Sequence, residues 1–174
     1  MIQKVILVNE NDEVLGSMEK LEAHLKGALH RAFSIFIFND QKELLIHQRA
    51  FDKYHSPGLW TNTCCSHPFP EETTLDAANR RLEEEMGMQC SLTPIFTFVY
   101  KAGFENGLTE HEFDHVFVGY YDGEILFNKE EVDDYYFGTI EEINEKIQFN
   151  PSHYTPWFLI AFPRVCEWWK SKQL

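Results

Sequence analysis

WTNTCCSHPFPEETTLDAANRRLEEEMGM, residues 60–88, joins an extended run that carries Cys65 and His67 to a helix crowded with arginine and glutamate. In an extended run side chains alternate, so Thr63, Cys65 and His67 face one way and Asn62, Cys64 and Ser66 the other. A thiol and an imidazole therefore share one surface. The helix has a start signal in Thr73 and Thr74, with Glu71, Glu72 and Asp76 where a positive helix end favours acids. Gly87 ends it. Leu75, Ala78, Leu82 and Met86 recur at three- and four-residue steps and read as the buried stripe. Arg81 and Glu85 lie one turn apart on a polar face, which on composition alone reads as a solvated surface with ordinary ion pairs.

The bulk numbers narrow the setting for that stretch. A chain of 174 residues suits a single domain, 1–174, with one sizeable core. Hydrophobic content of 44%, with 15% aromatics, argues for a packed interior or an apolar pocket and against disorder. A formal charge of −13 opposes nucleic-acid or anionic-membrane binding through the general field, so an anionic ligand needs a local basic site. The longest apolar runs, 33–38 and 157–162, are too short to span a bilayer, and no basic segment precedes an apolar core at the start. These features lead us to expect a cytoplasmic protein. Cys64, Cys65, Cys90 and Cys166 show no C-x-x-C spacing, so free thiols are expected rather than a disulfide framework or zinc ribbon.

Outward from the central stretch, short strands are expected over 4–8 and 14–18, a brief helix over 19–26 that carries Lys20 and His24, and a hairpin of strands over 31–38 and 43–49 with His30 at its mouth. Residues 50–58 read as a loop holding Lys53, His55 and Pro57. Further strands are expected over 95–101, 110–121 and 131–137, the last at an edge. A helix follows over 139–147, and Thr155-Pro156 starts a C-terminal helix that Pro163 should kink. A mixed sheet flanked by helices is the natural α/β (α+β) arrangement. Within 110–121 the alternation puts Glu110, Glu112 and Asp114 on one face and His111, Phe113, His115 and Phe117 on the other. Two carboxylates on one side of a strand suit a divalent cation, although solvated strands show the same pattern. Taken singly, each histidine reads as a surface or structural residue.

The spacing of the central helix resembles the Nudix box. Glu72, Arg80, Leu82, Glu84, Glu85, Gly87 and Met88 fall in register, while Ser66 stands in place of the first Gly and Arg81 in place of a Glu. Nudix hydrolases use that Glu to help hold magnesium, so its loss argues for altered chemistry. Trp60-Thr61-Asn62, Cys65-Ser66-His67-Pro68 and Glu110-His111-Glu112 together resemble the type 1 isopentenyl-diphosphate isomerases, over residues 4 to about 157. The resemblance implies a Nudix-type α/β/α sandwich with a mixed sheet. It also implies interconversion of isopentenyl and dimethylallyl diphosphate, through a tertiary carbocation, in isoprenoid biosynthesis.

The same resemblance assigns roles. His24, His30, His67, Glu110 and Glu112 match the family's metal ligands, a mixed set that suits octahedral Mn or Mg and leaves Zn open. A second magnesium, arriving with the diphosphate, is implied at Glu85 and the carbonyl of Cys65. Lys20, Arg49, Lys53 and Arg81 match the family's diphosphate contacts, so Arg81 both removes a hydrolase ligand and supplies a phosphate partner. Cys65 and Glu112 are the implied acid–base pair, with Tyr100 hydrogen-bonded into it and one oxygen of Glu112 left free for base duty. Trp157 is the residue whose π face meets the carbocation, a contact worth roughly 0.5–2 kcal/mol. Water would trap such a cation, so an apolar pocket is required. Two other readings stay open: a Nudix-type diphosphate hydrolase, favoured by Glu84-Glu85, and a metal-stabilised binding module without catalysis.

Overall fold

The computed structural model describes residues 3–53 and 55–172. β1 (Lys4–Val8) and β2 (Val14–Glu19) pair antiparallel, and α1 (Lys20–Lys26) leads through Gly27 to β3 (His30–Phe38). β4 (Leu44–Arg49) returns from β3 and is followed by two short pieces, β5 (Trp60–Thr61) and β6 (Cys64–Ser66). Next come α2 (Thr74–Met86), the long antiparallel pair β7 (Leu92–Gly103) and β8 (Thr109–Tyr120), and β9 (Val132–Gly138). α3 (Ile140–Phe149), a 3-10 turn at Pro151–His153 and α4 (Pro156–Lys172) close the chain, and α4 runs past Pro163. The expected edge position of β9 holds, since it pairs with β4 alone.

The run over 60–67 is extended but interrupted. Thr63 turns its hydroxyl into the sheet, accepting from the amide of Ile37 at 2.9 Å and donating to the carbonyl of Leu45 at 2.7 Å. Through that side chain the break between β5 and β6 stays tied to both β3 and β4.

β3 and β8 pair in parallel over nine positions, from His30 opposite Glu112 to Phe38 opposite Tyr120, while every other strand pairing is antiparallel. Period-two alternation then sorts the two strands into two cores. Phe33, Ile35, Ile37 and Phe117 pack against Ala77, Ala78, Leu82 and Met86 of α2. Phe36, Phe38, Val116 and Val118 pack on the other face against Trp157, Phe158, Ala161 and Phe162 of α4. A mixed sheet is thus covered by helices on both faces. No helix is long and apolar enough to cross a membrane among the described residues.

α2 forms where its signals place it. The hydroxyl of Thr73 accepts from the amide of Asp76 at 3.1 Å, and Gly87 closes the helix at φ 66°, where a Cβ would lie 2.7 Å from the carbonyl oxygen of Leu126. The buried stripe differs from expectation at three positions. Leu75 is 41% exposed, whereas Ala77 and Glu85 are buried. The core under α2 takes in Ala77, Ala78, Leu82 and Met86 and leaves Leu75 at its margin. Replacing Leu82 by Ala should therefore lower unfolding stability by about 2–5 kcal/mol, whereas Leu75→Ala should change it by less than about 0.5 kcal/mol. Urea unfolding of both variants checks this ranking.

Candidate active site

The even-numbered face of β3 and β8 is apolar at one end and polar at the other. The polar end carries His30, Glu110 and Glu112, with Ser34 donating to the Oδ2 of Asp114 at 2.7 Å. Strand register brings in the next residues. Tyr100 on β7 lies opposite Glu112, and Cys65 on β6 lies opposite Ser34. Cys64, opposite Ile35, enters the core under α2 instead. Alternation over 64–65 thus separates a structural thiol from one that faces the site, as the sequence implies.

Five side chains converge at this end. One ligand atom each from His24, His30, His67, Glu110 and Glu112 lies within 4.8 Å of all the others, and all five residues are buried. His24 comes from α1, and its Nδ1 meets the carbonyl of Lys20 at 2.5 Å; the Nδ1 of His30 meets the carbonyl of Ala28 at 2.8 Å. These carbonyls accept from the Nδ1–H groups and turn each Nε2 inward. The Nε2 of His24 is 3.1 Å from the Oε2 of Glu110, the Nε2 atoms of His30 and His67 are 3.2 Å apart, and the Nε2 of His67 is 2.7 Å from the Oε1 of Glu112. Ring nitrogens and carboxylate oxygens gathered at such distances need shared protons or a shared cation between them. The donor set fits a divalent metal ion.

Each carboxylate is also held from outside. The hydroxyl of Tyr100 donates to the Oε2 of Glu112 at 2.5 Å, and the Nε2 of His55 lies 3.0 Å from the Oε1 of Glu110. The expected free oxygen on Glu112 is therefore engaged by Tyr100, which sits directly across the β7–β8 ladder.

One cavity is lined by Cys65, Ser66 and His67, by Tyr100, Glu110, Glu112 and Trp157, and by Lys20, Arg49, Lys53, Arg81 and Glu85. The four basic residues singled out in the sequence thus meet around one space, though none points at it unaccompanied. Arg49 donates to the carbonyls of His55 and Ser56, both at 3.2 Å, and its guanidinium lies 5.4 Å from the ring centre of Trp157. Arg81 pairs with Glu84 and Glu85, and its NH2 group lies 3.3 Å from Glu131, which also pairs with Lys53. Glu131, His55 and the buried Asp114 received no role from the sequence. The alternation placed Asp114 on the right face, but nothing in a loop or at a strand end points to His55 or Glu131.

Burial pushes the Cys65 thiol up to about 12, so it stays protonated at neutral pH. Burial also pushes the Tyr100 phenol well up, keeping it a donor. Burial and the charge of Glu110 would raise the carboxyl of Glu112, but hydrogen bonds with His30 and His67 hold it below the usual carboxylate range. Burial would likewise raise Glu110, yet its bonds with His24 and His55 hold it well below that range. Burial favours neutral Lys20, and it pushes Asp114 and Glu85 up. An acid and a base in complementary states therefore face one cavity.

The family model of the NUDIX domain matches residues 28–158. An isopentenyl-diphosphate Delta-isomerase of Pectobacterium atrosepticum is 50% identical over 98% of this chain and 95% of its own length. Isopentenyl-diphosphate Delta-isomerase 2 of Aromatoleum aromaticum is 48% identical over 95% of this chain and 87% of its own length. Among solved structures, a protein of Deinococcus radiodurans shares the fold with a TM-score of 0.72 at 24% identity, covering 85% of this chain and 90% of that one.

Burial lowers His67 to about 4 and His47 to about 3. Both imidazoles bind fewer protons folded than unfolded. The stability this contributes is whole above pH ~6.5, and it is lost as pH falls through these two values. In metal-free protein, a proton NMR titration should find both rings still neutral at pH ~5.5, where an unperturbed imidazole is already mostly charged. Normal titration of both would refute the burial argument.

Proposed function

Because this chain belongs to the Nudix family and, within it, to the isopentenyl-diphosphate Delta-isomerases, we propose that it interconverts isopentenyl and dimethylallyl diphosphate through a tertiary carbocation. The observation that carries this reading is one cavity holding a protonated thiol, Cys65, and an ionised carboxylate, Glu112. Moving the double bond adds a proton to one carbon and removes one from another, so one donor and one acceptor must be present at once. Microscopic reversibility gives each side chain both roles, according to the direction of reaction. Tyr100 holds Glu112 in place through Oε2.

Lys20, Arg49, Lys53 and Arg81 bind the diphosphate by charge-assisted hydrogen bonds, and Arg81 does so from the position where the Nudix box has a carboxylate. Trp157, 3% exposed and in the aromatic core around α4, turns its ring toward the cavity and excludes water from the cation's path. His24, His30, His67, Glu110 and Glu112 hold a divalent ion whose ligand mix suits Mn or Mg and leaves Zn open. When bound, that ion supplies a fixed positive charge that keeps both carboxylates ionised. Glu85 and the carbonyl of Cys65 would hold a second magnesium brought in with the diphosphate. The chain acts as one domain, since both cores share one sheet, and four free thiols suit a cytoplasmic setting. Pyrophosphate hydrolysis is disfavoured because Arg81 stands where the Nudix box has a metal-binding Glu.

Cys65→Ala and Glu112→Gln should each cut deuterium uptake from heavy water into substrate by at least about 100-fold, the lower range for a lost general acid or base. Unchanged exchange in both would remove the pair from the mechanism, and inorganic phosphate released from isopentenyl diphosphate would favour a hydrolase. Arg81→Ala should raise KM for the diphosphate roughly 10- to 100-fold, the equivalent of one charged hydrogen bond. Steady-state kinetics with both substrates checks this.

A further inference from the structure

Each of the two carboxylates in the metal cluster splits its oxygens in the same way. The Oε1 of Glu112 faces the imidazole of His67 at 2.7 Å, and its Oε2 is taken by the hydroxyl of Tyr100 at 2.5 Å. The Oε2 of Glu110 faces the imidazole of His24 at 3.1 Å, and its Oε1 is taken by the Nε2 of His55 at 3.0 Å. His55 stands to Glu110 as Tyr100 stands to Glu112. It lies outside the five-residue cluster.

The placement of His55 is built in. Its backbone carbonyl accepts from Arg49 at 3.2 Å, fixing the loop that carries it. Its ring stacks on Phe104 at 5.5 Å and meets Trp157 edge-on at 6.0 Å, and the residue is 7% exposed. A ring wedged between two aromatic side chains has little rotational freedom, so its nitrogen presents one direction to Glu110.

We propose that His55 is a positioning residue for the metal site, donating from Nε2 to the Oε1 of Glu110 so that only Oε2 is offered to the cation. Outer donors of this kind fix the orientation of ligating side chains and raise affinity. Ligation through one oxygen also has a consequence for selectivity. Small octahedral ions are satisfied by single oxygens, whereas calcium readily takes both oxygens of a carboxylate. His55 thus biases the site toward a small ion. The inference rests on the proposed metal-binding reading of the cluster.

The test is titration of chelator-stripped protein with manganese and with calcium, comparing wild type with His55→Leu, His55→Ala and His55→Gln, alongside the melting temperature of each metal-free protein. Loss of the donor in the Leu and Ala variants should raise the Kd for manganese about 10- to 100-fold and narrow the preference for manganese over calcium. Glutamine, whose amide nitrogen can donate to the same oxygen, should restore most of the affinity. A purely structural histidine would move the metal-free melting temperature and leave the Kd alone. Equal manganese affinity in wild type and the Leu and Ala variants overturns the role of His55 while leaving the metal site intact, and so does a loss in the Gln variant as large as that in the Leu variant. Failure of wild type to bind manganese at all overturns the reading of the cluster and the role of His55 with it.

Discussion

The parallel register of β3 and β8 is the constraint on which the site depends. With His30 opposite Glu112, every even-numbered side chain of the two strands falls on one face. A slip of one residue would send Glu110 and Glu112 toward α2 and Phe117 toward α4, exchanging the two faces of β8. The long antiparallel ladder between β7 and β8 locks the same register from the other side and delivers Tyr100 to Glu112. Fold and chemistry therefore share one specification. The apolar half of the face stabilises the sheet through Phe36, Phe38, Val116 and Val118, and the polar half stands on that support.

Burying three imidazoles and two carboxylates together is unfavourable unless each polar atom is matched. For His24, His30 and the two carboxylates this is done by outer partners from different parts of the chain, the carbonyls of Lys20 and Ala28, the Tyr100 hydroxyl and His55, whereas the Nδ1 of His67 is buried with no hydrogen-bond partner among the described residues. A similar economy governs the neighbouring charges. The chain carries a net charge of −13, yet Lys20, Arg49, Lys53 and Arg81 gather at one cavity, with Glu84, Glu85 and Glu131 paired to two of them. An anion entering there would exchange partners with Glu131 instead of meeting bare cations, so a locally basic site fits within an acidic protein.

Most of the fold was legible because it follows from short-range rules. Apolar runs on either side of a turn gave β3 and β4, alternation gave the faces of β8, and Thr73 or Thr74 with Gly87 bracketed α2. Thr139 caps α3 with a reciprocal bond to Glu142, a local device of the same kind. Leu75 was misjudged because helical periodicity fixes which residues share a face, whereas burial depends on where the neighbouring core ends. The site divides along the same line. Glu110, Glu112 and Cys65 could be placed on faces by alternation, but the convergence of His24, His30 and His67 depends on α1 folding back beside β8, which spacing alone does not encode. The family resemblance supplied that part. His55 and Glu131 were invisible because they sit in loop and strand-end backbone with no periodicity, and their importance appears only in the distances they keep to Glu110 and to Lys53 and Arg81.

Cys65 and Glu112 show how one environment can set two acids in opposite states. Both are enclosed, and burial alone would push both toward the neutral form. For the thiol the charge of Arg49 counters that push only in part, so it rises to about 12 and keeps its proton. The carboxyl has His67 at 2.7 Å and His30 at 3.6 Å, and these reverse the effect of burial. The difference between donor and acceptor is therefore fixed by the imidazoles, which are the same groups that suit a metal ion. Trp157 completes the argument from the apolar side. Its ring already faces the guanidinium of Arg49 across 5.4 Å, so the π surface is turned toward positive charge, and the core of Phe158, Phe162 and Tyr154 behind it keeps that surface dry. A cavity with cations at one wall, a thiol and a carboxylate at another and an aromatic face at a third has the parts needed to bind a diphosphate and to shelter a carbocation on its tail.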